Sequence, residues 1–130
     1  MDGKRFTAGI APRMRDAHRQ TGELLLRLGV TPHTVGYAML RDGVRLVSDG
    51  DRFRIVRTTE ELYPTIGKGY CANIYGVEHA MRDAIHLAWQ RENGERGSLR
   101  FEDTAPGNTE FLYLLAGEVR LNQAKKKPQA

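Results

Sequence analysis

The sequence predicts an all-α protein, a compact bundle of about six helices containing a helix-turn-helix. Apolar residues recur at intervals of three and four in successive segments, as in Leu24, Leu25 and Leu28 or Val77, Met81, Ala84 and Ile85. Helix start and stop residues punctuate those segments, and no stretch of strict apolar-polar alternation interrupts them. A chain of 130 residues is long enough to bury a core without metal or disulfide staples.

Residues 1–15 carry no periodicity and read as a flexible lead-in. The folded domain is expected over 16–122, and the lysine-rich segment 123–130 as a disordered basic tail. The first helix runs from Asp16 to Leu28, where Gly29 supplies a C-terminal cap. Thr31-Pro32 then reads as an N-cap followed by proline at the first helical position, where its missing N–H costs nothing. The second helix turns Val35, Met39, Leu40, Val44 and Val47 inward and breaks at Asp49-Gly50-Asp51. Phe53, Ile55 and Val56 alternate with arginines in a way that suits either a short extended segment or a helical turn. Thr58-Thr59-Glu60-Glu61 has the form of a capping box, with Pro64 in the first turn or at a kink.

The longest helical pattern opens at Asn73, runs through Ile74, Val77, Met81, Ala84, Ile85, Ala88 and Trp89, and ends near Asn93-Gly94. Residues 94–109 read as loop. Asn108 or Thr109 caps a last helix that turns Phe111, Leu114, Leu115 and Val119 inward. Tyr37 and Tyr63 are expected half-buried, with hydroxyls bonded between helices, and Trp89 in the core.

Composition excludes several classes of function. No apolar run approaches the roughly 20 residues of a membrane helix, and the N-terminus has no apolar signal core. The single cysteine, Cys71, precludes an internal disulfide, and the chain reads as cytoplasmic; Cys71 itself is expected as a small, partly buried turn residue. There is no phosphate-cradling glycine loop, nucleophile elbow or metal-ligand cluster, so neither an enzyme nor a cofactor is expected. The formal charge of +4, from 20 basic and 16 acidic residues, is a mild excess compatible with nucleic acid.

One constellation carries more chemistry than the rest. In residues 66–81, IGKGYCANIYGVEHAM, a short helix ending near Gly69 and a tight turn lead into the long helix, with Gly67 where the two would cross closely. Val77, Ala80 and Met81 would pack back, leaving Tyr75, Glu78, His79, Arg82, Asp83 and His86 outward. In a helix-turn-helix, the second helix enters the DNA major groove. Arg82 suits bidentate donation to guanine, Glu78 can accept from a cytosine amino group, and His79 can assist. Lys68, Asn73 and Tyr75 stand where phosphate-holding groups are expected, joined by Thr59, or its neighbours Arg57 and Thr58, from the preceding turn. The bland reading is a solvated face with a Glu78–Arg82 ion pair. His79, Asp83 and His86 share a face at metal-ligand spacing, but no further ligand accompanies them.

The wider sequence adds a resemblance. The blocks LGVTPHTVGYAMLRDGV, ELYPTIGKGY, VEHAMRDAIHLAWQREN and NTEFLYLLAGEVRL resemble, in order and spacing, the C-terminal effector domain of the master sporulation response regulator, from about Asp16 to Leu121. The resemblance implies a six-helix domain that binds a short element of bacterial promoter DNA and regulates transcription, often as a dimer on tandem sites. It also implies that the loop from Gly94 to Phe101, with Arg96 and Arg100, can meet the sigma subunit of RNA polymerase. Where the family's reading helix has Arg-Val-Glu-Arg-Ala-Ile-Arg, this chain has Gly76-Val77-Glu78-His79-Ala80-Met81-Arg82. Glu78 and Arg82 carry over; Gly76 and His79 stand where the family has arginines. Family members usually place this domain behind a phosphoaccepting receiver, for which 130 residues leave no room, so the chain reads as a fragment or a free-standing effector domain. The competing reading, a protein-interaction module that kept the fold and sequesters a regulator or polymerase subunit, rests on the same two missing arginines together with the absent receiver.

Overall fold

The computed structural model describes residues 12–48, 58–90 and 104–126, with side chains over 16–48, 60–90 and 104–122. Among the described residues the fold is all helical: α1 (Pro12–Leu28), α2 (Val35–Ser48), α3 (Tyr63–Tyr70), α4 (Ile74–Gln90) and α5 (Asn108–Lys126), with a π-helical turn, Thr58–Leu62, running into α3. Five α-helices are therefore described where about six are expected, and the Phe53–Val56 and Gly94–Phe101 segments lie outside the described residues.

α1 begins at Pro12, ahead of the expected Asp16, and buries Leu24, Leu25 and Leu28. Its end is a Schellman cap. Gly29 takes φ +100°, its N–H donates to the Leu26 carbonyl at 3.0 Å, and the Val30 N–H donates to the Leu25 carbonyl at 2.9 Å. Val30, one residue past the glycine, drops into the core beside Leu25. On the exposed side Arg19 pairs with both Asp16 and Glu23.

α2 starts at Val35, three residues after the proline expected to open it. The cap is Thr34, whose Oγ accepts from the Tyr37 N–H at 3.3 Å and donates to the Thr31 carbonyl at 2.8 Å. The Tyr37 N–H is shared between the Thr34 hydroxyl and the Thr34 carbonyl, the latter at 3.2 Å, so the cap falls at Thr34 and not at Thr31. Val35 is consequently at the helix tip and half exposed, not inward, whereas Met39, Leu40, Val44 and Val47 are buried as expected. α2 is the central helix, packed by α1, α4 and α5.

Pro64 does fall in the first turn of α3. Lacking an N–H, it cannot bond back one α-turn, and the wider π turn that precedes it absorbs the gap. α5 buries Phe111, Leu112, Leu115, Ala116 and Val119. Leu114, expected inward, is 39% exposed, because Leu112 takes the core position one residue away from Phe111. The helix continues past Leu121 to Lys126, where the apolar pattern alone gives no reason to extend it. Trp89 packs on the core, edge to face with Phe111 at a centroid distance of 6.0 Å.

Candidate nucleic-acid interface

α3 and α4 are joined by the turn Cys71 to Asn73, and each end of that turn has a physical cause. Cys71 closes α3 in the left-handed region, φ 54° and ψ 43°, and the Ala72 N–H donates to the Gly67 carbonyl at 3.0 Å. Gly67 is glycine for steric reasons: a Cβ there would lie 2.2 Å from the Ala72 carbonyl oxygen. The close approach expected at Gly67 is thus made against the turn, with Val77 just beyond at 3.4 Å. Cys71 is exposed, contrary to the partly buried position expected, because the left-handed cap swings it off the helix.

Asn73 caps α4. Its Oδ1 accepts from the Gly76 N–H at 2.8 Å, which satisfies one of the orphan donors of the first turn. Val77 and Met81 are fully buried and Ala80 is partly buried against the core, so the inward face is as expected. The orientation of α4 on α2 is fixed by a close crossing at Gly36, where a Cβ would stand 2.5 Å from the Ala80 carbonyl oxygen and 2.7 Å from the Ala84 Cβ.

The opposite face carries one connected set of polar side chains. The Arg82 guanidinium donates to His79 Nδ1 at 2.8 Å and stands 3.6 Å from Glu78 Oε1. His79 Nε2 in turn lies 3.6 Å from the Asp83 carboxylate. Donation from Arg82 requires His79 Nδ1 to be unprotonated, which leaves the proton of the neutral ring on Nε2, toward Asp83. His79, Arg82 and Asp83 are exposed and Glu78 partly so, with side-chain exposures from 37% for Glu78 to 65% for His79, so these pairs are worth about 0.5 kcal/mol each and yield to a better partner. Tyr75 (77% exposed) and His86 also point outward.

Glu78, His79 and Arg82 are thus brought together on one face of α4. Lys68 is exposed on α3 and Tyr75 on the first turn of α4, while Asn73 has its Oδ1 committed to the cap. The Thr59 side chain lies outside the described residues. Among the described residues no group of three or more His, Cys, Asp or Glu side chains is arranged to hold a metal ion, and none of their helices is long and apolar enough to cross a membrane.

A further residue bears on this face. Asn108, at the start of α5, sends Nδ2 to the Tyr63 hydroxyl at 3.0 Å and to the Glu78 carbonyl at 3.1 Å. It ties α5 to α3 and α4 at one buried point. Its position at a helix start reads as a cap; its use as a tie depends on partners distant in sequence. Burial pushes the Tyr63 hydroxyl pKa up, and the Asn108 bond opposes that shift. Beside it, Glu78, Arg82, His86 and the segment Ala105 to Glu110 line an open groove of about 310 Å³.

The described residues thus form an all-helical domain that presents a charged outer face on the second of two turn-linked helices. Residues 21–119 match the family model described as sporulation initiation factor Spo0A C terminal, and the chain belongs to that family. The family is the DNA-binding, transcription-regulating effector domain of a sporulation response regulator, not an enzyme family.

Proposed function

We propose that this protein is a sequence-specific, cytoplasmic regulator of transcription that reads promoter DNA with α4, the second helix of a helix-turn-helix formed by α3, the Cys71 to Asn73 turn and α4. The observation that carries the reading is the outward cluster of Glu78, His79 and Arg82, solvent-accessible and linked by weak side-chain contacts to one another and to Asp83. Arg82 meets guanine O6 and N7, Glu78 accepts from a cytosine amino group, and His79 contributes a ring nitrogen beside them. Lys68, Asn73 through its free Nδ2, Tyr75 and Thr59 hold phosphates and set the register. Family membership supports this reading. It also extends the proposal to a second copy on a tandem site and to the sigma subunit of RNA polymerase.

The test is a random-site selection with the purified chain, followed by fluorescence-anisotropy titration of the recovered duplex and a scrambled duplex at two salt concentrations. Wild type is expected to prefer the recovered duplex. Arg82→Ala should cost about 1 to 3 kcal/mol and blur discrimination at one base pair. Lys68→Ala should weaken both duplexes alike and lower the salt slope by about 1. Unchanged affinity and discrimination in Arg82→Ala would remove α4 from the reading role, and absence of salt-sensitive DNA binding by wild type would favour a protein-interaction module.

A further inference from the structure

The reading face on α4 needs more than its own side chains. A base contact requires the helix to sit in the groove at a fixed roll and depth, and side chains of correct chemistry on a loosely seated helix lose most of their discrimination. α4 is seated on α2 by the Gly36 crossing and meets α5 through Trp89 toward its C-terminal end. At the end that would enter the groove, the polar tie across to α5 is Asn108.

The chemistry of that tie is economical. One amide nitrogen carries two hydrogens, and here it serves two acceptors on two helices, the Tyr63 hydroxyl at 3.0 Å and the Glu78 carbonyl at 3.1 Å. Glu78 lies within α4, so its carbonyl also accepts the intrahelical bond from the Arg82 N–H; Asn108 uses the second lone pair. The bonded carbonyl therefore sits on the backbone turn that joins the two proposed base-reading residues. Asn108 is only 9% exposed and Tyr63 7%; the bond to the Tyr63 hydroxyl is buried and that to the Glu78 carbonyl part-buried, so a lost partner leaves a poorly hydrated polar group behind.

We propose that Asn108 is a positioning residue for DNA reading: by bonding Tyr63 and the Glu78 carbonyl together, it fixes the pose of the Glu78–Arg82 turn relative to α3 and α5. Asn108 touches no base. The functional half of this inference rests on the DNA-reading proposal; the structural half does not.

The experiment compares wild type, Asn108→Ala and Tyr63→Phe, which removes only the phenolic acceptor and keeps the ring. Hydrogen exchange on the DNA-free proteins is read at the amides from Glu78 to Arg82 against those from Ala84 to Ala88. Both variants should exchange faster in the first set beyond their change in global stability, Asn108→Ala more so. In the titration above, run well below each melting temperature, Asn108→Ala should lose about tenfold in preference for the recovered duplex, most of one base contact, with its salt slope unchanged. A lower melting temperature with proportionate exchange and an unaltered preference would overturn the proposal and leave Asn108 a stability residue. If Asn108→Ala does not fold, Tyr63→Phe decides by the same criteria. If wild type itself shows no preference, the DNA reading fails, and the exchange comparison still decides whether Asn108 holds the turn.

Discussion

At the residue scale, two glycines show how far side-chain absence shapes this interface. Gly67 stands out in the sequence beside the tight turn, and the structure places it hard against the Ala72 carbonyl. Gly36 gives no comparable local signal, because its requirement comes from α4, more than forty positions away in the chain. A methyl group at Gly36 meets backbone, the Ala80 carbonyl at 2.5 Å, which cannot rotate aside. Gly36→Ala is therefore expected to lose about 1 to 3 kcal/mol of stability, despite alanine's better helix propensity, as α4 is pushed off α2. Urea unfolding measures this directly; a variant as stable as wild type would mean that α4 re-seats freely, and the fixed pose of the reading face would have to come from elsewhere. Cys71 is the converse case. A left-handed cap favours glycine, and the nearby Gly69 is the residue that draws attention in sequence, yet the helix runs on to Tyr70 and a cysteine takes the strained position.

At the scale of elements, Gly76 stands where the sequence resemblance implies an arginine, and it invites a reversal. A Cβ there would meet Asn73 Oδ1 at 3.4 Å and the Ala72 Cβ at 3.5 Å, ordinary contacts that leave room for a side chain pointing away. Glycine inside a helix also costs up to about 1 kcal/mol relative to a good helix former. Gly76→Arg should raise the melting temperature modestly, tighten DNA binding and steepen the salt slope by about 1. Looser binding in titration would show that the first turn of α4 does not face DNA. The five described helices, most of their inward positions and the charged face of α4 were legible in the sequence because each depends on spacing within one segment. Boundaries were less so. The Thr31-Pro32 pair draws the expected start to Thr31, whereas the bonds from the Tyr37 N–H place the cap at Thr34. The inward turn of Leu112 rather than Leu114 was hidden for a related reason: α5 carries apolar residues around much of its surface, so periodicity alone does not fix its roll. Asn108 was legible as a helix-start residue, but not as a tie, since Tyr63 and Glu78 come together with it only in the folded chain.

At the scale of the whole molecule, α1, α2 and α3 meet in a polar seam that the apolar pattern does not reveal. The Tyr70 hydroxyl donates to the Asp42 carboxylate at 2.7 Å, and burial together with that bond pushes its pKa up to about 12. His18 on α1 faces the same stretch of α2. Partial burial lowers its pKa first, the charges of Arg41 and Arg45 lower it further, and Asp42 opposes them. The sign of the consequence follows from linkage. With the folded pKa below the ordinary histidine value of 6.5, the unfolded chain binds a proton more readily than the folded one as pH falls through that value. The contribution of His18 is therefore complete above pH 6.5 and is lost toward lower pH, where the proton must be accepted beside two arginines or the seam must open. Melting temperatures measured between pH 7.5 and 5 should fall in wild type, and the fall should be shallower in His18→Asn, which keeps a polar side chain of similar reach without a titrating ring. A parallel fall in both proteins would place the acid sensitivity in other groups and leave His18 a bystander in the packing of α1 on α2.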